Sequence, residues 1–351
     1  MASDSAEKSK KVDFAFSTSA GFSAFLETLN CSVVVSTYQT GNVFLIGPDV
    51  DDTLAISPIT LAKAMGLFYH SGSLWVGGQT SIFRFNNILP QGVVHEGHDR
   101  IFIPHVSWTT GDIDCHDIVR ESSGKLVFVN TLYSSLCTTS ETSNFSVVWR
   151  APCVTEMAPE DRCHLNGVAL RDGTARYASA FSEKNVRQGW REGCRNEGVI
   201  WDIATNQPIA RGLSMPHSPR WYSGKLWCLE SGTGAFGYID FANERLIPII
   251  TLPGYLRGLA FVGEFAAIGS SLPRESSGIR VQELDASLAT RGVSQQCGIF
   301  WVHLPSGKLV HFVKISEGAQ EIYDVTILPQ SLRPWAYAPD AEEIGHLLNI
   351  G

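Results

Sequence analysis

The chain is short of charge. Only 18% of its 351 residues are Asp, Glu, Lys or Arg, and acids outnumber bases by 35 to 27. With a formal charge of -8 it has no Lys/Arg stripe able to neutralise a run of phosphates, which argues against nucleic acid and anionic membrane surfaces as partners. No apolar run approaches the roughly 18 residues that a membrane span needs. The opening MASDSAEKSKK carries no apolar stretch either, so residues 1–12 are expected to be a disordered tail rather than a signal peptide, and a cytoplasmic location is expected. The eight cysteines, at 31, 115, 137, 153, 163, 194, 228 and 297, include no CxxC pair. Most lie in apolar strand-like runs, where reduced, buried thiols are expected rather than disulfides or a metal cluster. Also missing are a nucleophile elbow with its Ser-His-Asp triad, a phosphate-cradling glycine loop and a dinucleotide fingerprint. Ordinary serine hydrolase, kinase and dehydrogenase chemistry are thereby disfavoured.

What the chain has in quantity is glycine (32), Phe (18) and Trp (9), within a 44% hydrophobic composition that can bury a large core and make many tight turns. One phrase recurs: an apolar strand, a turn with Gly, then a second strand that often bears Trp. It reads as Met65-GLFYHSGSLWVGG, Asp117-IVRESSGKLVFVN, Asn166-GVALRDGTARYASAF, Ser218-PRWYSGKLWCLESG and Arg257-GLAFVGEFAAIGS. The turn glycines Gly72, Gly124, Gly173, Gly224 and Gly263 are 52, 49, 51 and 39 residues apart, intervals that suit four-stranded propeller blades. Ile322-YDVTILP reads as a sixth inner strand with nothing after it. Ser32-VVVSTY, Asn42-VFLIGPD and Thr53-LAISPI read as strands with no inner partner before them. Joining the two ends predicts an all-β, six-bladed β-propeller over 13–351, closed by pairing of N- and C-terminal strands so that no sheet edge is left open. A short helix is predicted over Ala20 to Thr28. Leu272 to Gln296, rich in Ser, Arg and Glu, is predicted to be a surface excursion or lid within the fifth blade.

In such a ring the first residues of each inner strand converge at the mouth of the central channel. The glycine register places Met65, His116 with Asp117, His164 with Asn166, His217, Arg257, and Tyr323 with Asp324 at those positions. Three histidines at equivalent places in consecutive blades suit acid–base work, and neighbouring carboxylates tune an imidazole's tautomer and basicity. His116, His164, His217 and Asp117 are therefore the candidate catalytic residues. Asn166, Arg257, Tyr323, Met65 and Trp221 are the candidate substrate-binding ones, although Arg220 and Trp221 also read as strand packing. Arg257 suits an anionic group of a ligand, or else it neutralises Asp324. Asp112 and Asp114 read more simply as turn-forming residues.

The phrases TYQTGNVFLIG, TGDIDCHDI, EDRCHLNGVAL, GLSMPHSPRW, PGYLRGLAF and EIYDV resemble a family of functionally unassigned propeller proteins of bacteria and fungi, over about Phe22 to Leu328. More remotely, NGVAL and the GKLW turns are similar to the gluconolactonase, regucalcin and strictosidine synthase superfamily of six-bladed propellers. In the lactonase branch a Glu, two Asn and an Asp hold a divalent metal. That resemblance matches Asn166 to one Asn, but His116 stands at the other, His217 stands at the Asp, and no Glu lies near Met65. Hard oxygen ligands are thus replaced by imidazoles. Three readings stay open: a metal-independent lyase or cyclase of specialised metabolism acting on a small molecule; a lactonase or related hydrolase with a divalent ion such as zinc on His116, Asn166 and His217; or a non-catalytic binding propeller. The first, with no cofactor, is the expectation.

Overall fold

The computed structural model describes residues 14–192, 194–273 and 282–347. The predicted tail and the middle of the Leu272–Gln296 excursion lie outside the described residues. Each glycine-turn phrase folds as a hairpin, because Gly72, Gly124, Gly173, Gly224 and Gly263 all supply the positive φ that a tight reversal demands. Two further strands complete each sheet. Blade 1 holds Leu67–His70, Ser73–Gly77, Ser81–Asn87 and Arg100–Thr109; blade 2 holds Ile118–Arg120, Leu126–Asn130, Ser135–Thr138 and Ser146–Arg150. Blade 3 runs Leu165–Arg171, Thr174–Ala180, Gly198–Asp202 and Gln207–Leu213, and blade 4 Pro216–Tyr222, Lys225–Glu230, Ala235–Asp240 and Arg245–Thr251. Blade 5 is Tyr255–Val262, Phe265–Ser271, Gly298–His303 and Lys308–Glu317. Inner strands of successive blades touch one another all the way round, so the six sheets form a closed ring.

Closure falls where the orphan strands predicted it. In blade 6, Asp324–Pro329 is the inner strand and pairs antiparallel with Cys31–Thr37, with Val35 opposite Val325 and Ser36 opposite Asp324; Asn42–Pro48 and Leu54–Thr60 follow outwards. The chain ends reach further than the repeat foretold. Ala15–Thr18 adds to the outer strand of blade 5, and Pro334–Ala336 adds in parallel to the outer strand of blade 1. Blades 5, 6 and 1 are thereby strapped together, and two outer edges that would template foreign strands are covered. The predicted helix is Phe22–Leu29, which buries Phe22 and Leu26 among Val33, Phe44 and Trp301.

A single ionic plug crosses the axis and gives the upper pocket its floor. Arg220 of blade 4 meets Asp117 at 2.7 and 3.0 Å and Asp324 at 3.7 Å. Asp117 accepts from the backbone N–H of Ile118 and Val168, Asp324 from Leu67 and Val325, and Arg220 donates to the Leu259 carbonyl. All six inner strands are tied to this one cluster. The close approach explains Gly258, whose φ is +76° and where a Cβ would sit 2.5 Å from the Val325 nitrogen. Among the described residues no helix is long and apolar enough to cross a membrane. All eight cysteines are free, and all but Cys153 are buried.

Candidate functional site

Above the plug lies a cavity of about 260 Å³. That is below the usual range for drug-sized ligands and suits a small metabolite. Its walls include His116, His164, Arg257 and Tyr323, as the register predicts, together with Asp114, Asp161, Tyr38, Phe181, Trp190 and Glu321. His217 lies one layer deeper, buried edge-on against Phe181 with ring centroids 5.0 Å apart. The rings of His116 and His164 meet at 4.8 Å, nearly perpendicular, and His116 is 5.2 Å from Tyr323.

Two blades build their histidine with the same local device. In blade 2, Asp114 takes a left-handed conformation (φ +47°) and its carbonyl lies 2.9 Å from His116 Nδ1; in blade 4, Met215 (φ +52°) does the same for His217 at 3.1 Å. A hydroxyl at the end of the second strand completes each set: Thr131 Oγ1 is 2.7 Å from His116 Nδ1, and Ser231 Oγ is 2.7 Å from His217 Nδ1. Those hydroxyls have committed their own protons, Thr131 to the Leu165 carbonyl and Ser231 to the Leu256 carbonyl. Nδ1 therefore faces two acceptors and must carry the proton, which leaves Nε2 as the basic nitrogen of each ring. His217 Nε2 is buried and has no hydrogen-bond partner among the described residues. Burial, reinforced by the nearby Arg257, His116 and His164, holds its pKa well below the ordinary imidazole value, so it is a neutral base.

His164 is built differently. Its Nδ1 lies 3.0 and 3.1 Å from the Asp161 carboxylate, which also accepts from Trp190 Nε1 at 2.8 Å. The carboxylate fixes the orientation of the His164 ring and directs Nε2 away from Asp161. Across the ring, Arg257 stacks over Tyr323 at 5.4 Å and reaches Glu321 at 3.4 Å.

Four candidates fall elsewhere, and one pairing needs correcting. Asp117 sits in the plug, saturated by Arg220, rather than in the cavity. The Met65 side chain is buried in an apolar cluster, and it is the Met65 carbonyl that accepts from Ser36. Asn166 lies below the cavity wall, where its Oδ1 accepts from Ser179 at 2.7 Å. Trp221 lies in a second, apolar cavity at the opposite end of the channel with Phe68 and Phe261. The expected Arg257–Asp324 pair is instead Arg220–Asp324, because Arg220 extends towards the axis and is not mere packing. The metal ligand set is not assembled either. Asn166 Oδ1 is taken, and among the described residues no three His, Cys, Asp or Glu side chains converge to hold an ion. Asp114, read from the sequence as a turn former, is that and a wall of the pocket besides. Tyr38, Phe181, Trp190 and Glu321 went unnoticed because they come from loops: the first three from connections between the second and third strands of blades 6 and 3, and Glu321 from the connection between blades 5 and 6. The hydroxyls were findable: Thr131 and Ser231 follow their histidines by 15 and 14 residues. The 272–296 excursion does cover this end. Leu284 and Leu288 of helix Gln282–Thr290 are buried against Phe181, Trp190, Met215 and Tyr255.

A family model described as a domain of unknown function, DUF4915, matches residues 20–337. The chain belongs to the DUF4915 family. No curated protein matches it. Among solved structures, a chain of a nidogen/laminin complex aligns with TM-score 0.54 at 11% identity, covering 86% of this chain and 99% of that one. That likeness supports the propeller fold for this DUF4915 member and nothing finer. Weaker alignments include a catalytically inactive virginiamycin B lyase from Staphylococcus aureus with quinupristin (TM-score 0.39, 12% identity, 86% and 99% covered) and a luciferin-regenerating enzyme (0.42, 10%, 83% and 93%).

Proposed function

We propose that this DUF4915 propeller is a metal-independent enzyme that moves protons on a small molecule, in a lyase- or cyclase-type reaction. The observation that carries the reading is the duplicated Nδ1 clamp, which leaves Nε2 as the basic nitrogen of His116 in the cavity wall and of His217 just beneath it, beside a third histidine backed by a carboxylate. In such a site a neutral imidazole takes a proton from carbon, oxygen or nitrogen of the substrate. His164, oriented by Asp161, returns one to the departing or closing group. Phe181, Trp190 and Tyr323 supply walls that orient the reactant and exclude water. For the metal-assisted lactonase alternative, no three His, Cys, Asp or Glu side chains converge among the described residues.

The test is to incubate a small-molecule extract with the wild-type protein and with His217→Ala and to follow the mixture by mass spectrometry. A compound consumed only by the wild type, giving an isomer or two fragments whose masses sum to the substrate, is the expected result. A product heavier by one water would make the enzyme a hydrolase. No consumption at all would leave a binding pocket.

A further inference from the structure

Among the described residues, two charged side chains of the cavity wall, Arg257 and Asp114, make few polar contacts. Arg257 carries five N–H donors, and its only hydrogen bond among the described residues is the 3.4 Å contact to Glu321. Its guanidinium is nevertheless held in one place, on the Tyr323 ring and in the cavity wall. A planar fork with open donors that is buried and pre-oriented is the arrangement that meets a carboxylate bidentately. The Asp114 carboxylate also lines the cavity, and no hydrogen bond or ion pair reaches it among the described residues. Its neighbour Asp112 is the one that takes Lys63, at 2.9 Å. Asp114 takes the left-handed backbone conformation whose carbonyl also orients His116, so the two residues share one local turn. Blades 2 and 5 stand opposite in a six-membered ring, which puts the open acceptor and the open donor on facing walls. Of the other wall charges, Asp161 is engaged by His164 and Trp190, Glu321 by Arg257, and Arg191 lies over the Trp190 ring and donates to Gln188.

Resting on the reading of this cavity as the ligand site, we infer that its ligand is a small bipolar molecule, with a carboxylate directed to Arg257 and an amine directed to Asp114 across the channel mouth. A molecule with only the anionic end would leave the half-buried Asp114 unpaired beside it, and one with only the cationic end would do the same to the half-buried Arg257. Both penalties vanish only when the two ends arrive together.

The test uses the full-length protein and three matched probe series of increasing chain length: ω-amino carboxylates, alkyl carboxylates and alkylamines, with binding read by titration calorimetry. At least one amino carboxylate is expected to bind at least about tenfold more tightly than its matched single-function probes. Arg257→Met should erase the gain from the carboxylate and keep that from the amine, with Asp114→Asn doing the reverse. Arg257→Lys, which keeps the charge without the fork, covers the case in which Arg257→Met fails to fold and should retain part of the gain. Single-function probes that bind as well as bipolar ones, no saturable binding by any series, or a carboxylate preference unchanged in both Arg257 variants would overturn the inference. Failure here with His217-dependent turnover intact would reject the ligand class and keep the acid–base site. Selective binding without turnover would do the opposite.

Discussion

The channel holds two clusters of buried charge a few residues apart in sequence, and they are opposites. In the plug, Asp117, Arg220 and Asp324 satisfy one another and draw hydrogen bonds from all the inner strands. In the pocket above, Arg257 and Asp114, and His217 Nε2 one layer beneath its wall, are held in place yet short of partners among the described residues. Burial, position at an inner strand and charge do not separate the two. Satisfaction does: charges that complete one another hold the ring, and the incomplete ones are those proposed above to meet a ligand.

The largest effect expected from breaking this contrast is in the plug. Arg220→Met would leave Asp117 and Asp324 buried with no counter-charge and should destabilise the fold by about 3–5 kcal/mol in urea unfolding at pH 8, with the loss shrinking in acid as a carboxyl takes up a proton. A loss below 1 kcal/mol would mean that the plug is not the keystone. In the pocket the reverse holds. His217→Ala should leave the unfolding midpoint within a few degrees while lowering turnover by about 10²-fold. Nitrogen-15 shifts of the wild-type imidazoles should show Nδ1–H tautomers at His116 and His217, and an Nε2–H form at either would remove the proposed base.

A smaller effect is expected from pH. Burial pushes the folded Asp324 carboxyl up to about 7 from an ordinary 3.8, so the native state holds that proton more tightly than the unfolded chain. Its stabilising contribution is then complete below about pH 4 and is lost as pH rises through 7. Asp324→Asn should flatten the stability profile across that window, and an unchanged slope would show that the carboxyl is ionised throughout. The smallest effect belongs to the far end of the channel. Trp221→Ala should change ligand binding by less than about twofold, because the plug separates its cavity from the histidines; a larger loss would show that the two cavities communicate.

The fold was legible because a propeller repeats. Five glycine turns at blade-sized intervals, one orphan inner strand and three orphan outer strands leave one way to close the ring. Part of the site was legible for the same reason, since register carries His116, His164, Arg257 and Tyr323 to one mouth. The errors came where register is silent about depth. Met65 and Asn166 occupy strand-start positions but lie below the cavity surface, and Asp117, one residue beyond His116, points into the plug. Trp221, five residues beyond the start of its strand, has travelled to the other end of the channel.

By itself the amino-acid sequence determined the ring, its closure and the set of side chains delivered to the axis, because local turn chemistry and strand periodicity act over a few residues and repeat. Only the tertiary structure decided which buried charges complete one another. Arg220 rather than Arg257 takes both aspartates, Thr131 and Ser231 set the histidine protons, and Asp114 and Arg257 are left facing across the mouth. Hydrogen-bond satisfaction is a property of atoms brought together from different blades, and no window of a single chain contains it.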